Sequence, residues 1–154
     1  MVKQKLARAA TIAALTLAPL GIAGTAHASG SECSGLEDAG NASFNLCTYV
    51  NNSGGDGLYI NYANVYVDTS ETGWTFPNGQ NCQVQPALTL WTGSGFSTDT
   101  AKNYACDTFQ QDPSYTFSLH KEQAAGTREA CATLFFPQYN QRVGYNDDCV
   151  GMHK

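Results

Sequence analysis

The chain has 154 residues, of which 14% are charged, and a formal net charge of −5 at pH 7. A length of this order suits a single domain that buries its own hydrophobic core. The acidic balance argues against nucleic acid and membrane surfaces as partners, because binding to either requires clustered lysine or arginine. A basic protein or a cation stays compatible with this charge.

Residues 1–28 have the pattern of a secretory signal peptide. Basic residues precede an apolar run over residues 9–20, and Ala26-His27-Ala28 places small side chains where a signal peptidase reads them. The alternative is a membrane anchor, but the run is too short to span about 30 Å of hydrocarbon. We therefore expect cleavage before Ser29 and a secreted, extracellular protein. Three of the eight basic residues leave with the leader, so residues 29–154 keep five against thirteen acidic ones, a net charge of −8.

All six cysteines lie after this leader. An even number of cysteines in a short exported chain is typical of a disulfide framework, and no C-x-x-C motif indicates a redox or metal site. Many pairings are open to six cysteines, and we expect neighbours to pair because each bond would then tie a loop to an adjacent strand. The predicted pairs are Cys33–Cys47, Cys82–Cys106 and Cys131–Cys149.

Alternation of apolar and polar residues predicts strands in the first half of the chain. Residues 44–50 alternate in this way, residues 51–57 are rich in turn-forming glycine and asparagine, and an extended pattern resumes over residues 58–62. The apolar positions change parity after Ile60. We therefore expect a bulge or bend near Asn64.

The second half of the chain continues in short strands. Residues 82–92 are predicted to form a strand in which Pro86 marks a sheet edge or a break, because proline cannot donate to the ladder. Residues 93–99 are predicted to form a polar loop. Further strands are predicted over residues 104–106, 115–120 and 128–136, and around residues 143–145.

These patterns together predict an all-β fold. About seven or eight short strands with regularly spaced turns favour a small antiparallel β-sandwich or barrel, stapled by three disulfides. No helical stripe, repeat or linker is visible after the leader. The predicted organisation is a signal peptide (1–28), an acidic N-terminal arm outside the core (29–42) and a single disulfide-bonded β domain (43–154).

No catalytic constellation stands out. Ser118 and His120 share a strand face, but a third orienting group and an oxyanion-hole motif are missing. Asp147 and Asp148 would point to opposite faces of a strand, whereas glycoside hydrolysis needs two carboxylates around one bond. We therefore expect a protein that is not an enzyme and that needs no metal or cofactor. The alternative is a hydrolase or toxin built from scattered acids, because strand-borne sites leave no local motif.

Aromatic residues are the most informative feature for function. Two tryptophans and eight tyrosines follow the leader, and these side chains are enriched at recognition surfaces because they bury a large area while keeping a polar tip. Tyr62 lies on a predicted strand. Trp74 is the best candidate for an exposed anchor; the alternative is that it fastens its loop to the domain.

The alanine-rich leader, the acidic remainder and the six cysteines resemble the small exported disulfide proteins of actinobacteria. That group includes protease inhibitors and adaptor subunits of secreted toxin particles. The resemblance covers architecture and composition, and it implies a non-catalytic module that binds another secreted protein. We expect an adaptor in an extracellular complex such as a secreted toxin particle, which would use residues 29–42 or a tyrosine-bearing sheet face.

Two other functions are compatible with the sequence. An inhibitor of a secreted protease or other hydrolase would insert Lys121 and Arg128 into a trypsin-like pocket. A glycan-binding module would stack Trp74 and Tyr62 on sugar rings while asparagine and glutamine bond the hydroxyls. The candidate partner-binding residues are Glu32, Glu37, Asp38, Tyr62, Trp74, Lys121 and Arg128.

Overall fold

The computed structural model contains nine β-strands and a single short α-helix within the part of the chain that it describes. The described residues are 29–53, 58–70, 72–92, 94–123 and 126–152, with the backbone alone at 145–148. The predicted leader (1–28) and residues 54–57 of the predicted turn, which include Asp56, lie outside this part. The strands are β1 (Gly30–Ala39), β2 (Ala42–Ser53), β3 (Tyr59–Asp68), β4 (Gln83–Thr92), β5 (Gly95–Thr100), β6 (Tyr104–Ala105), β7 (Ser114–Glu122), β8 (Thr127–Phe136) and β9 (Gln141–Gly151); helix α1 (Cys106–Gln111) precedes β7.

The strands form two antiparallel sheets that pack face to face. The first sheet has the order β1-β2-β3-β7, and the second has the order β5-β4-β8-β9, with β6 paired to the start of β4. Because alternate residues of a strand point to the same face, the inward side chains of both sheets build one buried core. The predicted all-β sandwich is confirmed. Its largest fully buried side chains include Phe44, Phe136, Leu46, Ile60, Leu88 and Leu134.

The predicted disulfide pairing is confirmed. Cys33–Cys47 joins β1 to β2, and Cys131–Cys149 joins β8 to β9. Cys82–Cys106 ties the start of β4 to the start of α1. No free cysteine occurs among the described residues.

Residues 29–42 belong to the first sheet and do not form an arm outside the core. β1 pairs with β2 over almost its whole length, with a bulge after Cys33. At that bulge the Ser34 side chain takes the place of a backbone partner for Leu46 of β2. Its hydroxyl donates to the Leu46 carbonyl and accepts from the Leu46 N–H, at 3.3 Å each. The low apolar content that suggested an arm is that of an edge strand, whose side chains mostly face solvent.

Residues 93–99 were predicted to form a polar loop, and this prediction is wrong for residues 95–99. They belong to β5, which pairs with β4. Serine and threonine there give no apolar alternation, because nearly all side chains of β5 are exposed. The strand is held by its backbone ladder and by a 3.0 Å hydrogen bond between the Thr89 and Thr98 hydroxyls.

The expected bend is present, whereas β4 runs unbroken through Pro86, which pairs with Leu134 of β8. The bend lies at Asn61, three positions before the predicted site, where the register of β3 shifts against both neighbours. On the other side of β4, pairing with β6 ends at Val84 and pairing with β5 begins at Ala87, which leaves a gap in strand pairing between them. The Pro86 carbonyl faces this gap, where it accepts from the Ala101 N–H at 2.9 Å. Since the N and C=O of a strand residue point to the same side, the missing proline N–H removes no ladder bond to β8.

The two long sides of the sandwich differ. On the closed side, formed by β1 and β9, the Gln141 side chain joins the sheets: its amide donates to the Asp38 carbonyl at 2.5 Å and accepts from the Gly40 N–H at 3.2 Å. On the open side, β5 and β7 end the two sheets, and no strand pairing joins them in the described residues. An exposed ion pair, Lys121 with Asp99 at 3.7 Å, crosses this side.

A buried threonine also links the sheets across the core. The register between β8 and β9 shifts after Cys131, and the Ala132 N–H at that point donates to the Thr48 hydroxyl of β2 at 2.7 Å. Both residues are fully buried. A buried amide without a partner is costly, so Thr48 is placed where the second sheet needs an acceptor.

Candidate protein-binding face

Tyrosine and amide side chains cover the outward face of the first sheet. Inward positions of β2 and β3 hold buried residues such as Leu46 and Val65, so the alternate positions face outward. Register then places Asn51 opposite Tyr62 and Tyr49 opposite Asn64. The tyrosine–amide face is defined as Tyr49, Asn51, Asn61, Tyr62, Asn64 and Tyr66.

Hydrogen bonds fix one half of the tyrosine–amide face. The Asn61 amide donates to Asn51 Oδ1 at 2.8 Å and to Ser53 Oγ at 3.4 Å, and the Asn51 amide donates to the Tyr49 hydroxyl at 3.5 Å. The rings of Tyr49 and Tyr62 lie 5.9 Å apart between centroids. The bulge at Asn61 brings this side chain onto the same face as Tyr62, so a local irregularity of β3 completes the network.

Hydrogen bonds within this half shift the pKa values of two tyrosines in opposite directions. The hydrogen bond from Asn51 lowers the pKa of Tyr49, and the hydrogen bond from the Tyr62 hydroxyl lowers it further. The same bond to Tyr49 raises the pKa of Tyr62. Both pKa shifts thus have contacts between side chains of the face itself as their largest cause.

The other half of the tyrosine–amide face is tied to the neighbouring strands. The Tyr66 hydroxyl lies 2.9 Å from the Ser31 hydroxyl of β1, and the Thr116 hydroxyl of β7 donates to Asn64 Oδ1 at 2.9 Å. The six residues of the face are half-buried, and none of them carries a charge. The result is a preorganised, uncharged surface of aromatic rings and amides.

Among the predicted site residues, Tyr62 lies in this face and Trp74 does not. Trp74 is half-buried and packs against the core. Its loop is fastened to the start of β2, because the Thr75 N–H donates to the Ser43 carbonyl at 2.8 Å and the Ser43 N–H to the Thr75 hydroxyl at 3.0 Å. This geometry supports the alternative interpretation, in which Trp74 fastens the loop.

The charged candidates are distributed over three strands. The three carboxylates are on β1, at the closed side. Lys121 forms the ion pair of the open side, and Arg128 lies at the start of β8, where it lines a cleft of about 680 Å³ together with Glu129. The structure therefore separates the acidic candidates from the basic ones. The carboxylates of β1 are Glu32, Glu37 and Asp38.

In the described part of the chain, the residues considered for catalysis or metal binding do not form a catalytic or metal-ligand constellation with other side chains. Ser118 is opposite Tyr62, and the exposed His120 follows in a bulge with a positive φ of 45°. One group of possible metal ligands is found there, Glu129 with Cys131 and Cys149, but its cysteines form a disulfide and only a carboxylate is left. The side chains of Asp147 and Asp148 lie outside the described ones.

Comparison with known proteins identifies no relative, since no family model, no curated protein and no solved structure matches this chain. Three disulfides are typical of extracellular proteins. Within the described ranges, no helix is long and apolar enough to cross a membrane. The functional argument therefore rests on the residues of the chain itself.

Sequence reasoning found one member of the tyrosine–amide face and missed its neighbours. The outward parity of Tyr49 was visible in the alternation with Leu46 and other apolar residues of β2. The pairing of Tyr49 with the strand of Tyr62 was not visible, because it depends on register across a hairpin whose turn holds several glycines and asparagines.

Proposed function

We propose that this protein is a secreted, non-catalytic protein-binding module and that the tyrosine–amide face is its recognition surface. One observation carries the proposal: the face is uncharged, rich in tyrosine, and held in place by hydrogen bonds between its own side chains. Tyrosine contributes large contact area with few rotatable bonds. Because these side chains are already ordered, association costs little side-chain entropy.

An adaptor that joins other exported proteins, such as the components of a secreted toxin particle, fits this face better than an inhibitor does. A sheet face offers a broad contact surface, whereas an inhibitor of a trypsin-like protease must present a basic residue on an accessible loop. Lys121 lies on β7 and is ion-paired with Asp99. This arrangement supports the adaptor and weakens the case for Lys121 as an inhibitory residue.

A glycan-binding module is the second candidate, because amides next to tyrosine rings suit sugar hydroxyls. The rings of Tyr49 and Tyr62 are tilted by 39° to one another, and their hydroxyls bond to each other. Stacking on a sugar favours an exposed, flat ring. The tilt and the internal bonding therefore favour a protein partner.

The test is affinity capture from the culture medium of the producing organism with tagged residues 29–154. Wild-type protein is compared with Tyr62→Ala and with a control, Phe96→Ala, which truncates an exposed aromatic residue of the second sheet. We expect wild type and Phe96→Ala to capture a partner in fixed ratio. Tyr62→Ala should reduce this capture by about tenfold or more. Equal capture by Tyr62→Ala, or retention on insoluble polysaccharide in place of a protein, would contradict the proposal.

A further inference from the structure

Strand β7 leaves one edge of the first sheet unpaired. β3 occupies its other edge, and no strand pairs with the free edge among the described residues. The segment Tyr115–Leu119 instead lines a groove of about 450 Å³, and Asp99 of β5 contributes the opposite wall. An unpaired strand edge presents a row of N–H and C=O groups that a second extended chain can complete.

This free edge lacks the usual protection against strand pairing. Proteins protect edges with charges, proline, bulges or a covering element. The closed-side edge of β1 has several of these, including a bulge after Cys33, carboxylate side chains and contact with Gln141. Residues 114–118 of β7 read Ser-Tyr-Thr-Phe-Ser, with neither charge nor proline. A bulge and a charge appear only at residues 119–121.

We propose that the groove beside β7 binds an extended segment of the partner protein as an added strand of the first sheet. This inference rests on the proposed function, because it takes the partner to be a protein. It adds the mode in which that partner binds. Thr116 of β7 already bonds to Asn64 of the tyrosine–amide face. An added strand would therefore continue the same outward face, and both surfaces would contact one partner.

The groove specifies the chemistry of its occupant. Tyr115 and Leu119 pack against the core but stay half-buried. A docked strand with apolar residues at alternate positions would cover them. Asp99, together with the net charge of −8 on residues 29–154, favours an uncharged or basic segment and disfavours a second copy of this acidic chain.

The ends of the groove limit the length of the docked segment. At one end the Tyr104 ring packs against Tyr115 with centroids 6.0 Å apart, and at the other end Lys121 reaches Asp99. The regular edge between these ends is that of residues 115–118, before the bulge. At about 3.4 Å per residue, such an edge accommodates roughly four residues of an antiparallel strand.

The experiment uses displayed libraries of ten-residue segments and tagged residues 29–154. One library has apolar residues at alternate positions, and the control library has the same composition at helical spacing. Selected segments are then measured against wild type, Leu119→Lys and a matched control, Leu36→Lys, which adds the same charge to an exposed leucine of β1. An inward-pointing lysine on an edge is a natural device against strand addition, and its long stem can reach solvent.

We expect enrichment from the alternating library alone, equal affinity for wild type and Leu36→Lys, and about tenfold weaker binding to Leu119→Lys. Hydrogen exchange of wild-type protein with a selected segment should protect those amides of residues 115–118 that point away from β3. This map requires no variant, so it decides the question even if Leu119→Lys does not fold. Enrichment from neither library, equal binding by Leu119→Lys, or protection elsewhere would overturn the proposal.

Two further results separate this proposal from the proposed function and from self-association. If Tyr62→Ala abolishes partner capture from culture medium while Leu119→Lys retains it, the tyrosine–amide face stands and the strand-docking groove is overturned. If sedimentation shows a wild-type dimer that Leu119→Lys dissociates, the occupant is a second copy, and the assignment to another protein is overturned. An empty capture with wild type contradicts the proposed function itself.

Discussion

The closed and open sides of this sandwich end the same two sheets in different ways. On the closed side, Gln141 bonds to the backbone at the end of β1 and in the turn that follows, and two cross-strand disulfides lie within the adjoining strand pairs. On the open side, an exposed ion pair and the ring contact of Tyr104 with Tyr115 lie at the two ends of a groove between β5 and β7. The comparison indicates that stabilising contacts concentrate on one side and leave an accessible strand edge on the other.

The largest effect that this comparison predicts is loss of a closed-side disulfide. The double substitution Cys131→Ala with Cys149→Ala should lower the free energy of unfolding by about 2–5 kcal/mol, because the bond restricts the unfolded chain. Chemical denaturation measures this change. The same variant under native conditions should still bind strand segments selected on the β7 groove, and loss of that binding would show that the two sides are not independent.

The next largest effect concerns the buried threonine that links the sheets. Thr48→Val keeps the shape of the side chain but leaves the Ala132 N–H without its acceptor, which should cost about 1–3 kcal/mol in the free energy of unfolding. Thr48→Ser is the matched control because it keeps the hydroxyl. Urea denaturation of the three proteins checks the prediction, which fails if Thr48→Val is as stable as Thr48→Ser.

A much smaller effect is expected at the ion pair of the open side. Lys121 and Asp99 are exposed, so Lys121→Ala should change the free energy of unfolding by about 0–1 kcal/mol. The substitution removes the side chain that crosses one end of the groove. We therefore expect unchanged or tighter binding of selected segments by calorimetry, and a large loss of stability would contradict the contrast between the two sides.

The smallest predicted effect is a pH dependence of stability that arises from Asp68 at the end of β3. This residue belongs to neither the closed side nor the open side. The Ser70 hydroxyl and N–H bond to Asp68 and lower the pKa of its carboxyl. A lowered folded-state pKa stabilises the fold above the ordinary aspartate pKa, and this contribution disappears as the pH falls through the folded-state value. Asp68→Asn should thus shift the urea midpoint slightly at pH 7 and not in strong acid. An equal shift at both pH values would show that the carboxylate charge is not responsible.

Local patterns explain why much of the fold could be predicted. The disulfide pairs follow chain order because each joins neighbouring elements, and the parity change around Ile60 indicated a bend in β3. β1 and β5 were missed for one physical reason. Both are edge strands whose side chains mostly face solvent, so their sequences carry little apolar alternation.

The candidate sites depend on contacts that no local pattern encodes. Tyr49 meets Tyr62 because of the register across the β2–β3 hairpin and the bulge at Asn61. The groove exists because β5 and β7, joined through β6 and α1, end different sheets. Trp74 was ambiguous because an aromatic residue in a loop suits both an anchor and a fastening contact, and the bonds of Thr75 to Ser43 favour the second.

Oxidative footprinting of tyrosine side chains in the complex with the captured partner tests the central claim most directly. Tyr139, which is 40% exposed near the closed side, serves as the internal reference. We expect the partner to protect Tyr49, Tyr62 and Tyr66 from modification and to leave Tyr139 unchanged. Protection of Tyr139 with full reactivity at Tyr62 would place the recognition surface elsewhere and contradict the account.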